Sequence, residues 1–227
     1  MKLRLSRAMR RRNMVPKCNL QRLMAHPAPE KITFAQKAVE KFPHHAQAVD
    51  PTMLHVINDT SLGASKGTEA TLTATTHPLN HAATFPETKA ICQPSSVILH
   101  IDSDAAHSVA PEAQSCAGGC QHLSDRAGTP FNGPVLVLAR VIKNVMVSAA
   151  EAELAALFMN RQEEAAALRN CLEAVGFPQP AGPMKTDNST ASGMLNNTVK
   201  QKRSKAIDIR FCWLQDRAHQ GQFCFHW

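Results

Sequence analysis

Aromatic residues and long apolar runs are scarce in this chain of 227 residues. It has no tyrosine and two tryptophans, and aromatics make up 5% of it, which is low for this length. No apolar run is long enough to span a bilayer, and no secretory apolar region follows the N-terminus. The seven cysteines are odd in number and show no disulfide spacing. We therefore expect a reduced, intracellular protein, cytoplasmic or nuclear, with no membrane partner.

Acidic residues are also too few to balance the basic ones. The formal net charge is +7, which favours polyanionic partners but does not by itself identify a nucleic-acid enzyme. Residues 1–22 contain no acid and eight basic residues: Lys2, Arg4, Arg7, Arg10, Arg11, Arg12, Lys17 and Arg22. A mitochondrial transit peptide and a nucleic-acid-binding arm stay open as alternatives. We expect residues 1–31 to form a basic, disordered segment.

A helical pattern covers residues 32–94, which we expect to form a small helical region. Apolar residues recur on one helix face over residues 34–42, and Pro43 is expected to interrupt that helix. Asp50 followed by Pro51 predicts a helix start, and a second helix is predicted over residues 68–83. No residue in this region has the pattern of a catalytic group.

From residue 97 onward the predicted order is β-β-β-α-β-α-α-β, within a domain that we place at residues 95–227. The three first strands are separated by turns, which predicts an antiparallel meander. A long helix over residues 148–175 ends at Gly176 and Pro178. The predicted strands cover 97–104, 117–123, 134–143, 184–187 and 222–227, and the later helices cover 189–196 and 206–219. The fold class is therefore α/β, with a mixed sheet flanked by helices.

Acids stand at the ends of three of these elements. Asp104 ends the first strand, Glu153 lies near the start of the long helix, and Asp187 ends the fourth strand. Carboxylates are hard ligands that suit Mg²⁺ or Mn²⁺, and several must converge to hold two ions. The residue pattern leaves two assignments open. Asp102 shares a strand face with Asp104, and about 200° of helix rotation separates Glu151 from Glu153, so both glutamates are not expected to point inward.

Several sequence blocks, in order, are similar to the Pol polyprotein of copia-type retrotransposons. Those that resemble its RNase H region are 103–105, 115–119, 147–154, 185–191 and 205–211, and blocks 47–54 and 67–71 resemble the thumb and connection of its reverse transcriptase. The resemblance covers about residues 34–227. It implies a ribonuclease H-like fold and metal-dependent endonucleolytic cleavage of the RNA strand of an RNA/DNA hybrid.

The resemblance also implies roles for individual residues. It places Asp104, Glu153 and Asp187 in the acidic cluster as catalytic residues and ligands of Mg²⁺ or Mn²⁺, with two ions when the site is intact. It favours Asp104 over Asp102 and Glu153 over Glu151. Asp208 matches a recurring position of the family and is a further catalytic candidate. Five basic residues form a candidate nucleic-acid-binding cluster: Lys200, Lys202, Arg203, Lys205 and Arg210.

Departures from the family pattern lead to a second hypothesis. The polymerase palm has no counterpart here, which excludes a polymerase, and the closing helix of the family is expected to be missing after residue 227. Gln47, Gln114, Cys116 and Cys224 stand where the family tends to have Arg, as in a decaying element. The alternative function is therefore an inactive retroelement remnant that acts at most as a basic nucleic-acid-binding module.

Overall fold

A five-stranded sheet with helices on both faces organises the chain. The computed structural model describes residues 29–64, 67–110, 113–129, 131–199 and 205–227, without the side chains of 62, 162–164 and 205–208. The strands are β1 (Ile98–Ala106), β2 (Ser115–Ser124), β3 (Pro134–Ile142), β4 (Gly182–Thr186) and β5 (Phe223–His226). Their order in the sheet is β3-β2-β1-β4-β5. β1, β2 and β3 pair antiparallel, whereas β1, β4 and β5 pair parallel, so the predicted mixed sheet and meander are confirmed.

The long predicted helix is central to one face of this sheet. It comprises α4 (Ala149–Met159), a π-helical segment (Asn160–Ala165) and α5 (Ala166–Ala174). Seven successive residues of α4, from 151 to 157, are buried, so this helix is enclosed on all sides. The helices α6 (Ser189–Leu195) and α7 (Lys205–His219) pack beside it. Leu154 and Leu157 join Ile101 and Met184 in the largest core cluster.

The helical region before residue 94 covers part of the opposite face. It consists of α1 (Pro29–Ala48), a short 3-10 helix (Pro51–Met53), α2 (Leu54–Ala64) and α3 (Glu69–Thr84). Val137 and Ala139 of β3 pack against its core, whereas Leu138 and Ile142 belong to the cluster under α4. Because side chains alternate along a strand, the helical region and α4 lie on opposite faces of the sheet.

Two details of the helical region differ from the prediction. The helix α1 continues through Pro43 to Ala48, so the expected interruption is wrong. A proline removes one N–H and disfavours helix, but packing of Phe42 and Ala46 into the helical core holds both halves of α1 together. The same helix begins at Pro29, so residues 29–31 lie in it, and residues 1–28 lie outside the described residues.

The remaining general predictions concern cysteines and membranes. Within the described ranges, Cys92, Cys116, Cys120, Cys171, Cys212 and Cys224 carry free thiols. No helix in those ranges is long and apolar enough to cross a bilayer.

Candidate metal centre

The parallel pairing of β1 and β4 brings two acids to one edge of the sheet. Ser103 of β1 lies opposite Thr186 of β4. Asp104 and Asp187 each follow one residue later, just beyond the last residues that pair β1 with β4, although β1 itself continues to Ala106. Both side chains are exposed. The sheet register therefore sets the spacing of the two carboxylates.

The start of α4 supplies the third acid. Ser148 is the N-cap, and its hydroxyl accepts a hydrogen bond from the Glu151 N–H at 3.2 Å. Glu151 in turn accepts a bond at 2.7 Å through Oε2 from the N–H of Val147, the residue before the N-cap. This local pattern fixes the first turn of α4 and commits Glu151 to it. Glu153, two residues further on, projects toward the sheet edge.

Asp104, Glu153 and Asp187 form one cluster, in which a carboxylate oxygen from each lies within 4.8 Å of the other two. Glu153 is only 4% exposed. Its Oε1 accepts a hydrogen bond from the Ala105 N–H at 3.2 Å, and its Oε2 accepts one from the Thr186 hydroxyl at 3.1 Å. Both partners belong to the strands that carry the other two acids, so Glu153 is oriented by the same sheet edge.

Burial disfavours the charged form of Glu153. Desolvation raises the pKa of this carboxyl, the Thr186 hydrogen bond opposes that shift, and the nearby Asp104 and Asp187 add to it. The resulting pKa is about 7. The Glu153 carboxyl therefore gains and loses its proton near neutral pH.

The donor set of this cluster suits a hard divalent cation. It offers three carboxylates from three elements, at a spacing that one ion can bridge. Burial is the main cause of the raised pKa of Glu153, and a cation in the cluster would favour the charged carboxylate and lower that pKa. Among the described residues, this is the one group of three or more metal-ligating side chains with such spacing.

The structure separates the two pairs of competing acids. Asp102 lies outside the cluster, and its Oδ2 is 3.6 Å from Nδ1 of the buried His122. Glu151 also lies outside it, in the capping interaction. The expectation that both glutamates would not point inward is wrong, because each is 4% exposed. α4 is buried around its whole circumference, so opposite sides of the helix are both interior.

The other candidate residues are only partly described. Asp208 lies in α7, and its side chain is outside the described residues, as is that of Lys205. Lys200, Lys202 and Arg203 also fall outside them. Arg210 donates a hydrogen bond from Nη2 to Asn144 Oδ1 at 2.9 Å, and its guanidinium carbon lies 5.9 Å from the centroid of the Phe158 ring. The predicted basic cluster therefore stays a prediction.

Sequence reasoning missed the residues that support the cluster. Thr186 holds Glu153, and its hydroxyl also accepts a hydrogen bond from the Asn188 N–H at 3.3 Å. Asn188 caps α6 through its Oδ1. The Trp227 indole donates to the Asp187 carbonyl at 3.2 Å. An Asn before a helix is a recognisable cap signal, but no local pattern connects Trp227 with Asp187.

Comparisons with known proteins find similarity at the level of solved structures. Comparison with protein-family profiles finds no matching family, and comparison with curated proteins finds no relative. The N-terminal RNase H domain of Rv2228c from Mycobacterium tuberculosis is 14% identical, with a TM-score of 0.40, over 58% of this chain and 86% of that one. LC11-RNase H1, solved in complex with an RNA/DNA hybrid, is 13% identical, with a TM-score of 0.40, over 56% and 83%.

A retroviral domain is also similar. The RNase H domain of PFV is 16% identical, with a TM-score of 0.34, over 59% of this chain and 79% of that domain. The structure itself shows a mixed five-stranded sheet of order β3-β2-β1-β4-β5 with flanking helices and a preceding helical region, in agreement with the predicted fold class.

Proposed function

We propose that this chain is a ribonuclease H-type endonuclease derived from a copia-type retrotransposon. Its substrate is the RNA strand of an RNA/DNA hybrid, and its cofactor is Mg²⁺ or Mn²⁺. The observation that carries the proposal is the convergence of Asp104, Glu153 and Asp187 at one sheet edge. The net charge of +7 supports a polyanionic substrate.

The three acidic residues would act mainly by holding the metal ions in place. Asp104 and Asp187 would hold the ions from two parallel strands, and Glu153 would hold them from α4. Two bound divalent ions supply an activated water and stabilisation of the leaving oxygen. Glu153 is kept in place by the Ala105 N–H and the Thr186 hydroxyl, so its orientation does not depend on the ions. Lys200, Lys202, Arg203, Lys205 and Arg210 would contact phosphates, and Asp208 is a further catalytic candidate.

The test is cleavage of an end-labelled RNA/DNA hybrid by the purified chain in Mg²⁺ or Mn²⁺. We expect Asp187→Asn to lower the rate by about two orders of magnitude or more, because one charged ligand is lost. Asp102→Asn is the matched control from the same sheet edge, and we expect it to cleave like the parent. The thermal stability of the parent and of both variants is measured with and without Mg²⁺. We expect Mg²⁺ to raise the Tm of the parent by several degrees and that of Asp187→Asn by less.

A second candidate function gives a different result in this assay. The net charge of +7 favours an inactive, basic nucleic-acid-binding module. So do Gln47, Gln114, Cys116 and Cys224, which stand where the family tends to have Arg. It predicts that the folded parent binds the hybrid in a salt-dependent manner but does not cut it. Equal cleavage by the parent and by Asp187→Asn would instead indicate a contaminating nuclease.

A further inference from the structure

A recess lies beside Asp104, between the helical region and the sheet. Its volume is about 240 Å³, and it does not include Glu153 or Asp187. α2 forms one wall with His55, Asn58 and Asp59, and the strands β1, β2 and β3 form the other. Because Asp104 lines this recess and also belongs to the acidic cluster, a ligand held here would adjoin the metal centre.

Small residues form part of the sheet side of this recess. Ala106, Gly118 and Ala139 contribute to it from the three strands, and none of them has a side chain longer than a methyl group. Gly118 leaves additional space, because a Cβ placed there would meet only the Asp104 carbonyl oxygen, at 3.6 Å. A surface of small apolar side chains leaves room for the face of an aromatic ring.

The rim of the recess offers hydrogen-bond acceptors. The Asn58 amide donates through Nδ2 to the Ala139 carbonyl, which leaves its Oδ1 as an acceptor. The Asp59 carboxylate lies 3.5 Å from His55 Nε2, and both side chains are mostly exposed. Acceptors at this position suit a ring that carries N–H donors at its edge.

Charge excludes an anionic group from the interior of the recess. Two carboxylates, Asp59 and Asp104, line it against the single guanidinium of Arg140. Burial, and to a lesser degree Asp59, raises the pKa of the Cys116 thiol in the same recess, which disfavours a further negative charge there. The lining therefore suits a neutral group better than an anionic one.

We propose that this recess binds one unpaired nucleobase next to the scissile site. The proposal rests on the proposed function for its substrate class. A base within a duplex has both faces stacked and its edge paired, whereas an unpaired base presents all of these to a protein. The helical region would then serve as a wall of the substrate site, and the chain would prefer hybrids that carry a single-stranded extension.

The test is fluorescence anisotropy of three labelled RNA/DNA hybrids with the full chain in Ca²⁺, each hybrid checked on a gel to be uncut. One hybrid is blunt, one has a short RNA overhang, and one has an overhang of equal length without bases. The last two carry the same phosphates, so their difference in affinity reports on the base alone. We expect the overhang with bases to bind about five-fold more tightly than the abasic one.

Three variants test whether the difference in affinity between the two overhangs arises at the recess. Gly118→Val places an apolar side chain in the recess, and its Cβ makes only an ordinary contact with the Asp104 carbonyl oxygen. We expect it to abolish the preference for the base, while Asp59→Ala reduces it. His44→Ala, an exposed histidine of α1 that does not line the recess, should retain it. Equal affinity for both overhangs, or a preference that persists in Gly118→Val, would overturn the proposal.

Cleavage assays on the same proteins separate this inference from the proposed function. If the parent cleaves, Asp187→Asn does not, and neither overhang is preferred, the nuclease proposal is supported and the nucleobase site is refuted. If the parent prefers the overhang with bases but does not cleave, the nucleobase site is supported and the nuclease proposal is refuted. Absence of binding to every hybrid overturns both.

Discussion

At the scale of single residues, Glu153 dominates the energetics of the site. It is buried beside two other carboxyl groups, and its hydrogen bonds to Ala105 and Thr186 do not offset the desolvation. A buried carboxylate beside two others lowers the stability of the fold. A function that requires the negative charge would explain why a glutamate stands at position 153. The consequence is a dependence of folding on pH.

The first prediction concerns Glu153→Gln in metal-free buffer. The folded chain binds the Glu153 proton more tightly than the unfolded chain, with a pKa of about 7 against 4.5. The contribution of this group to stability is therefore full below pH 4.5 and is lost as the pH rises through 7. Glu153→Gln keeps the shape without the charge, so we expect it to be more stable than the parent at pH 8, by about 2 kcal/mol.

Urea denaturation at pH 5 and pH 8 checks this expectation. The advantage of Glu153→Gln should be much smaller at pH 5, and Glu173→Gln, an exposed glutamate of α5, should show no such dependence. An advantage that is equal at both pH values would show that the charge of Glu153 is not its cause.

At the scale of elements, the contact between α4 and β2 depends on Asn160. This residue is fully buried where α4 passes into the π-helical segment, whose last turn is closed by a bond from the Ala166 N–H to the Arg161 carbonyl. Asn160 Nδ2 contacts Ser103 Oγ at 3.0 Å and the Gly118 carbonyl at 2.9 Å. The helix is thereby joined to both β1 and β2, and its partner on β1, Ser103, directly precedes Asp104.

The second prediction concerns Gly119. A Cβ at this position would lie 1.6 Å from Asn160 Oδ1, so Gly119→Ala forces the buried amide out of its place. We expect a loss of about 3 kcal/mol or more in the free energy of unfolding. Gly118→Ala is the matched control on the same strand, where a Cβ meets only ordinary contact, and should cost less than about 1 kcal/mol.

A double-mutant cycle with Asn160→Ala identifies the cause. Removing the amide costs stability through its lost hydrogen bonds, but it also makes room for the new methyl group. Gly119→Ala should therefore cost less in the Asn160→Ala background than in the parent. Additive losses would place the strain of Gly119→Ala somewhere other than at Asn160.

At the scale of the whole molecule, the helical region and the sheet share packing. Ile57 of α2 is 1% exposed, and its cluster extends to Val137 and Ala139 of β3. Gln47 donates a hydrogen bond to the Val137 carbonyl at 3.1 Å, so the contact is polar as well as apolar. These contacts favour unfolding of both parts in one transition. The predicted boundary at residue 94 divides the sequence, but side chains on the two sides of it pack against each other.

The third prediction uses Ile57→Ala to test that coupling. Both tryptophans, Trp213 and Trp227, lie in the sheet part of the chain, so their fluorescence reports on that part alone. We expect Ile57→Ala to cost about 2–4 kcal/mol and to shift the fluorescence and far-UV circular dichroism transitions together. Val56→Ala, the exposed neighbour, should change stability by less than about 0.5 kcal/mol. A fluorescence transition that stays in place would show that the two parts unfold separately.

Much of the fold could be predicted, because its signals are local. The predicted first strand, 97–104, lies within two residues of β1 at both ends, and the predicted long helix began one residue before α4. Pro43 was misjudged because its local penalty is outweighed by packing of the flanking turns. Both glutamates of α4 are buried because helices and strands enclose it from all sides, which a helical period does not reveal.

The sequence by itself determined the order of the elements and the presence of an acid near one end of three of them, because periodicity, caps and breakers act within a few residues. Only the tertiary structure decided that Asp104 rather than Asp102, and Glu153 rather than Glu151, meet Asp187. That choice depends on the parallel register of β1 with β4 and on the position of α4 across them. Strand pairing and helix packing join residues more than thirty positions apart, so no local pattern encodes them.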